Sequence, residues 1–192
     1  MIRVSLGASN QERTTGPVVR VADADDHLGI LDVERAAFGG EVEADLVQRL
    51  VADSRAFVPE LSLVAEDEGV IVGHVLFTRA TCGTGTGSSA VLLAPLAVRP
   101  EHQGAGVGTR LVREGLARAA ESGIGLALVL GDPAYYSRFG FEPALPHGIL
   151  SPYPVEPAEA WMALELIPGT LAESVGAARF AQAFQDPDLW RE

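Results

Sequence analysis

Between Leu92 and Arg113 the chain reads LLAPLAVRPEHQGAGVGTRLVR, and no other stretch restricts its fold so tightly. An apolar run ends in Leu96, Ala97 and Val98, and Arg99-Pro100 stops it, because proline donates nothing to a sheet ladder. Gly104, Gly106 and Gly108 follow at alternate positions, and then Leu111, Val112, Leu116 and Ala119 recur at helical spacing. A strand, a glycine loop and a helix in this order leave several backbone N–H groups unpaired at the positive end of a helix dipole. Such a corner suits a phosphate or pyrophosphate, and glycine lets the anion approach the backbone closely. The loop is not a P-loop, since no Gly-Lys-Ser/Thr follows. It is not a dinucleotide fingerprint either, because the glycines are spaced G-x-G-x-G.

At 192 residues the chain is long enough for one domain with a substantial core, and its 47% hydrophobic and 21% charged content is that of a globular protein. All 14 basic residues are arginine, which excludes lysine Schiff-base chemistry. A net charge of −12 argues against nucleic acid as a partner; it fits a cationic substrate such as an amine, and equally an acidity that serves only solubility. Cys82 is the only cysteine, so no intrachain disulfide and no cysteine metal cluster can form, and no His/Asp/Glu spacing suggests a metal. No segment has the apolar length of a membrane helix and the N-terminus lacks a secretion signal, so the expected location is the cytoplasm.

Three segments are expected: a flexible leader over 1–16, a domain over 17–168, and a tail over 169–192 with one possible short strand near Val175 to Phe180. Within the domain, Val18 to Ala22 reads as a strand. Asp23, Asp25 and Asp26 offer caps to a helix carrying Leu28, Ile30, Leu31, Val33 and Phe38, which Gly39-Gly40 ends. A second helix, about Glu43 to Asp53, buries Leu46, Val47 and Leu50. Leu61 to Ala65 and Val70 to Arg79 form a hairpin around Glu66-Asp67-Glu68-Gly69. Thr81 to Ser89 reads as a loop of small residues, Ala90 to Val98 as a long strand, and the next helix runs to about Ser122. Ile124 to Leu130 suits a strand buried on both faces. A short helix through Tyr135, Tyr136 and Phe139 starts at Asp132-Pro133, and Trp161 to Ile167 is the last strand.

Two motifs and this element order resemble the GNAT superfamily of N-acetyltransferases. Gln103-Gly104-Ala105-Gly106-Val107-Gly108 is similar to its acyl-coenzyme A loop. The run from Gly131 to Phe141, GDPAYYSRFGF, resembles a bacterial subgroup described as YhbS-like. The resemblance covers roughly residues 17–168. It implies an α/β (α+β) fold with a mixed, mostly antiparallel central sheet of about six or seven strands, helices on both faces, and a splay at the cofactor strand.

It also implies a reaction: transfer of the acetyl group of acetyl-CoA to a primary amine by direct attack in a ternary complex. The acceptor could be a small molecule or a protein N-terminus. The backbone of Gln103 to Gly108, with Thr109 and Arg110, would hold the pyrophosphate, and Leu96, Ala97 and Val98 would face the pantetheine and thioester. Pro95 is consistent with a bulge there, and equally with an ordinary edge strand. Tyr136 is the expected general acid, with Tyr135 beside it as the competitor; a phenol can protonate a leaving thiolate. For the base, the candidates are Glu66 and His74, the latter sharing a strand face with Val72, Leu76 and Thr78, where a lone histidine is more often a satisfied core residue. A homodimer is possible. The alternative function is a non-catalytic acyl-CoA-binding sensor or scaffold of the same fold.

Overall fold

A short acidic turn ending in glycine sets the register of the hairpin near one edge of the sheet. The computed structural model describes residues 16–83 and 88–190, so all but Gly16 of the expected leader, and residues 84–87 of the small-residue loop, lie outside it. β1 (Val18–Val21) pairs antiparallel with β2 (Phe57–Asp67), and β2 with β3 (Val70–Cys82). Glu68 and Gly69 turn the hairpin with φ of 48° and 84°. Two successive left-handed residues match the right-handed twist of the strands, so the turn shrinks to two residues and both strands extend beyond their expected ends.

β4 (Ser88–Val98) pairs antiparallel with β3, so the small-residue loop is shorter than the sequence suggests. The full sheet has seven strands in the order β1-β2-β3-β4-β5-β8-β6, with β5 (Leu126–Leu130), β8 (Trp161–Glu165) and the two-residue β6 (Glu142–Pro143) completing it. Among the described residues of this sheet, the β4–β5 pair is parallel and every other pair antiparallel.

The two faces of the sheet are covered by different helices. α3 (Val107–Glu121) lies over Val75, Phe77, Val91 and Leu93, and packs there with Leu111, Val112 and Leu116. A side chain at Gly115 would come within 2.1 Å of the Phe77 ring, so glycine is what allows this helix to sit down on the sheet. Val72 belongs to this cluster too. The register slips between Ala65↔Gly73 and Glu66↔Ile71, and that bulge turns Val72 away from the face it was expected to share with His74.

On the opposite face, α1 (His27–Phe38) and α2 (Val42–Ala52) bury Ile30, Leu31, Val33, Ala44 and Val47 against Val64 and Ala97. Leu28 and Phe38, expected on the buried stripe of α1, are 73% and 47% exposed, at either end of the helix. Asp23 caps the single turn that precedes α1, accepting from the N–H of Asp25. Gly39 ends α1 in the left-handed region at φ 74°.

The tail adds mainly to the core, and meets the main sheet through an isolated bridge between Arg179 and Thr81. The strand expected near Val175 to Phe180 is the two-residue β9 (Gly176–Ala177), which pairs with β7 (Ile149–Leu150) as a separate small sheet. Beyond it, Phe184 and Trp190 are buried in one cluster with Trp161 of β8. The indole N–H of Trp190 donates to the Phe184 carbonyl at 2.7 Å, and that of Trp161 to the Ile149 carbonyl at 3.2 Å, so neither buried donor is left unsatisfied.

Candidate functional site

The glycine loop closes on itself before it opens α3. The side-chain amide of Gln103 donates to the Val98 carbonyl at 3.0 Å, which joins the end of β4 to the start of the loop. Gly104 and Gly106 take φ of 72° and 81°, the left-handed region that favours glycine, and a Cβ at either would meet nothing within 4 Å. Backbone conformation therefore demands glycine at these two positions, and packing does not. Gly108 is different: a Cβ there would sit 2.8 Å from the Tyr135 hydroxyl. The resulting cavity of about 380 Å³ is lined by Leu96, Val98, His102, Tyr135, Arg138 and the loop with Thr109. The Arg138 guanidinium lies 4.6 Å from the centre of the Tyr135 ring and adds a positive charge to the mouth.

A gap in the sheet leads on from this cavity. β4 and β5 are paired only at Ala90↔Leu126, Val91↔Ala127 and Leu92↔Leu128, yet β4 continues to Val98 and β5 to Leu130. Opposite, the β3–β4 register jumps from Val75↔Leu96 to Phe77↔Leu93, which places Ala94 and Pro95 across from Leu76 alone. Pro95 thus marks a bulge in a central strand, not an edge. The cleft that opens beyond Leu92 holds about 410 Å³ between Leu93–Leu96 of β4 and Leu130–Asp132, and it shares Leu96 with the loop cavity.

Tyr136 lines this cleft, at the end of α4 (Pro133–Tyr136), while its neighbour Tyr135 lines the loop cavity. Asp132 caps α4 by accepting from the Ala134 N–H at 2.8 Å. Gly131 makes room for the Tyr136 ring, since a Cβ would come within 2.5 Å of it, and Phe141 holds it edge-on at 5.7 Å. Burial raises the pKa of the Tyr135 hydroxyl, against a hydrogen bond with Thr109 and the field of Arg138. Two adjacent tyrosines therefore serve two compartments. On the far side of the cleft stand Phe38, Glu43 and Leu46 from the α1–α2 region, and Phe184, Leu189 and Trp190 from the tail.

Known proteins share this arrangement. The sequence profile of the acetyltransferase (GNAT) domain matches residues 18–144. The uncharacterised N-acetyltransferase YjhQ of Escherichia coli K12 is 44% identical over 174 residues, which is 88% of this chain and 92% of YjhQ. The chain belongs to the GNAT acetyltransferase family. YhbS of the same organism, also an uncharacterised N-acetyltransferase, is 40% identical over 71% of this chain and 80% of its own. The crystal structure of the GNAT protein YhbS from Escherichia coli in complex with CoA superposes with a TM-score of 0.81 at 34% identity, over 88% of this chain and 92% of that one. A Brucella melitensis GNAT acetyltransferase in complex with acetyl-CoA gives 0.71 at 30% identity, over 88% and 97%.

Within the GNAT frame, most of the residues expected at the cofactor gather around one cavity. Leu96, Val98, Gln103, Gly104, Gly106, Val107, Gly108 and Thr109 line it. Three expected there do not. The Ala97 side chain points to the other face, among Val33 and Val64, and Ala105 is exposed on the outside of the loop. The Arg110 guanidinium turns to the Pro17 carbonyl, 2.8 Å away. Arg138 stands at the cavity in its place.

Neither of the two expected bases lines the cleft. Glu66 accepts from Arg20 at 2.7 and 3.0 Å at the far end of β2, where Arg20 also holds Asp26 at 2.6 Å. His74 is fully buried; its Nδ1–H donates to Glu34 Oε1 at 2.6 Å, and its Nε2 accepts from the Ser62 hydroxyl at 3.4 Å. Both ring nitrogens are occupied inside the core. Burial raises the Glu34 pKa, with the His74 hydrogen bond opposing it. The carboxylates that do line the cleft are Asp132, engaged as a cap, and Glu43, which sequence reasoning passed over. Its signal was faint: Glu43 lies on the first turn of α2 three residues before Leu46, on the edge of the buried stripe.

Among the described residues no group of side chains could hold a metal ion, and no helix is long and apolar enough to cross a membrane.

Proposed function

We propose that this chain transfers the acetyl group of acetyl-CoA to a primary amine by direct attack within a ternary complex. What carries this reading is the joined pair of cavities: an anion-binding glycine loop opens through a splayed strand onto a cleft with a phenol on one wall and a carboxylate on the other. The amides of Gln103 to Gly108 and the Arg138 guanidinium receive the pyrophosphate. The pantetheine runs along Leu96 to Val98 through the gap between β4 and β5. Glu43 attracts the acceptor ammonium and takes its proton, directly or through water. The amine nitrogen then bonds to the thioester carbonyl carbon, the carbon–sulfur bond breaks, and Tyr136 protonates the departing thiolate, while the surplus proton left on the nitrogen passes through water to the Tyr136 phenolate and restores the phenol. The acceptor is one whose amine sits near apolar surface, since Phe38, Leu46, Phe184 and Trp190 form most of the opposite wall.

The test is thiol release from acetyl-CoA across a panel of amines, amino acids and peptide N-termini, alongside thermal melting with acetyl-CoA, CoA, ATP and NAD. A ligand that binds only the folded state raises the melting temperature. The expected result is a shift with both CoA forms and thiol release with at least one amine class. A shift without release from any amine supports the sensor or scaffold function instead, and no shift with CoA overturns the reading entirely. Gly108→Ala probes the loop separately. Its Cβ displaces the Tyr135 hydroxyl, and CoA affinity is expected to fall about tenfold, equivalent to ~1.4 kcal/mol, in isothermal titration. Unchanged affinity would remove Gly108 and Tyr135 from the cofactor site.

A further inference from the structure

We propose that a second site, an arginine-lined groove at the opposite end of the sheet from the glycine loop, binds small multiply charged anions bearing phosphate or carboxylate groups. The groove holds about 1270 Å³, and Arg49, Arg55, Arg79 and Arg179 all line it, with Asp53 the one acidic side chain on its wall. All four arginines are exposed. They come from three parts of the chain, and backbone hydrogen bonds fix where three of them stand. The Arg79 N–H donates to the Ala56 carbonyl at 2.8 Å, which sets Arg79 beside Arg55. Thr81 and Arg179 exchange N–H···O bonds of 3.1 and 2.9 Å, which tie the tail to the end of β3 and bring Arg179 close. Arg49 projects from the last turn of α2.

Like charges gathered in this way repel one another unless something neutralises them. The chain has acids to spare, 26 against 14 arginines. Elsewhere Arg20, Arg35 and Arg118 each pair with a carboxylate, and Arg99, Arg110 and Arg138 meet a backbone carbonyl or a ring; what sets the groove apart is that four arginines without a carboxylate line one cavity. Among the described residues none of the four groove arginines has a carboxylate within ion-pairing distance. A positive groove left uncompensated on a chain of net charge −12 is a surface whose counter-ion comes from outside. Planar guanidinium forks favour oxyanions that accept two hydrogen bonds, which is the geometry of phosphate and carboxylate.

The groove is distinct from the cofactor loop. Gly73 lies opposite Val98 at one end of β3 and Thr81 opposite Ser89 at the other. Eight residues at about 3.3 Å each separate the two ends by about 26 Å. The inference stands whether or not the chain proves to be a catalyst.

Isothermal titration of the full chain at low ionic strength, with tripolyphosphate and with citrate, tests it. Each titration is made with and without saturating CoA, and repeated on Arg79→Ala/Arg179→Ala and on Arg113→Ala, an exposed arginine of α3 outside the groove. The expected result is saturable binding of at least one anion that persists with CoA present, weakens as salt rises, and falls about tenfold or more in the double variant while Arg113→Ala keeps it. Stronger binding of tripolyphosphate identifies a phosphate ligand, and stronger binding of citrate a carboxylate. Three results would overturn the site: no saturable binding of either anion, binding abolished by CoA, or equal losses in the double variant and Arg113→Ala. The melting temperature of the double variant, expected to match that of the parent, shows that a loss is not misfolding.

Discussion

Tyr136→Phe is expected to lower the turnover of acetyl-CoA by about 10²–10⁴-fold, the usual range for removing a general acid, and to leave CoA affinity unchanged. The substitution deletes one oxygen and keeps the ring. The ring keeps its packing against Phe141 at 5.7 Å and Tyr135 at 5.0 Å and its place in the space left by Gly131. On the proposed function, cofactor affinity belongs to the loop cavity, which Tyr136 does not line. Steady-state kinetics with thiol detection, paired with CoA titration, read both quantities. Tyr135→Phe is the companion experiment. That hydroxyl is against Gly108 and Thr109, so its loss is expected to raise the KM for acetyl-CoA with little change in kcat. If the two variants exchanged their effects, or if Tyr136→Phe turned over at the parent rate, the assignment of the acid would fall.

Glu34→Ala is expected to destabilise the fold by ~3–5 kcal/mol, because it strands a buried histidine without its partner. Both side chains are completely buried, and the 2.6 Å bond from His74 Nδ1–H to Glu34 Oε1 joins α1 to the centre of the sheet. At about 2–4 °C per kcal/mol for a domain of this size, the melting temperature falls by about 6–20 °C. Glu34→Gln separates hydrogen bonding from charge. Its amide oxygen still accepts from Nδ1–H, so it is expected to keep most of the stability lost in Glu34→Ala. A Gln variant as unstable as the Ala variant would mean that the pair is held as ions. Melting temperatures equal to the parent for both would show that the contact contributes nothing.

What could be read in the sequence was local. Gln103 to Gly108 announces its loop because the left-handed residues, the preceding strand and the following helix are all contiguous. The hairpin around Glu68-Gly69 is legible for the same reason. Pro95 pointed to irregularity, and only the register of β3 against β4 shows that it bulges a central strand. The sequence set the adjacent tyrosines as competitors for one role; which compartment each lines depends on Gly108 and Gly131, whose missing side chains matter only once the fold is formed. His74 shows the opposite limit. A lone imidazole in an apolar strand reads as a core residue more often than as a base, but its partner Glu34, 40 residues away on α1, is visible only in the fold. A carboxylate four residues after Ile30, on the buried stripe of α1, was the available sign that something inside the core would meet it. The cleft wall from the tail was the least visible, since Phe184, Leu189 and Trp190 follow no strand or helix period.

That wall has a consequence for the order in which the protein is made. β8, the last long strand of the sheet, is complete at Glu165, and the tail's share of the cleft wall is not synthesised until Phe184 to Trp190. At about 5–20 residues per second, the ribosome takes roughly 1–5 s to cover that interval. During it, the nascent chain already contains the glycine loop, both tyrosines and the Phe38, Glu43 and Leu46 side of the wall, but not Phe184, Leu189 and Trp190. One wall of the cleft is thus assembled from the earliest and the latest parts of the described chain.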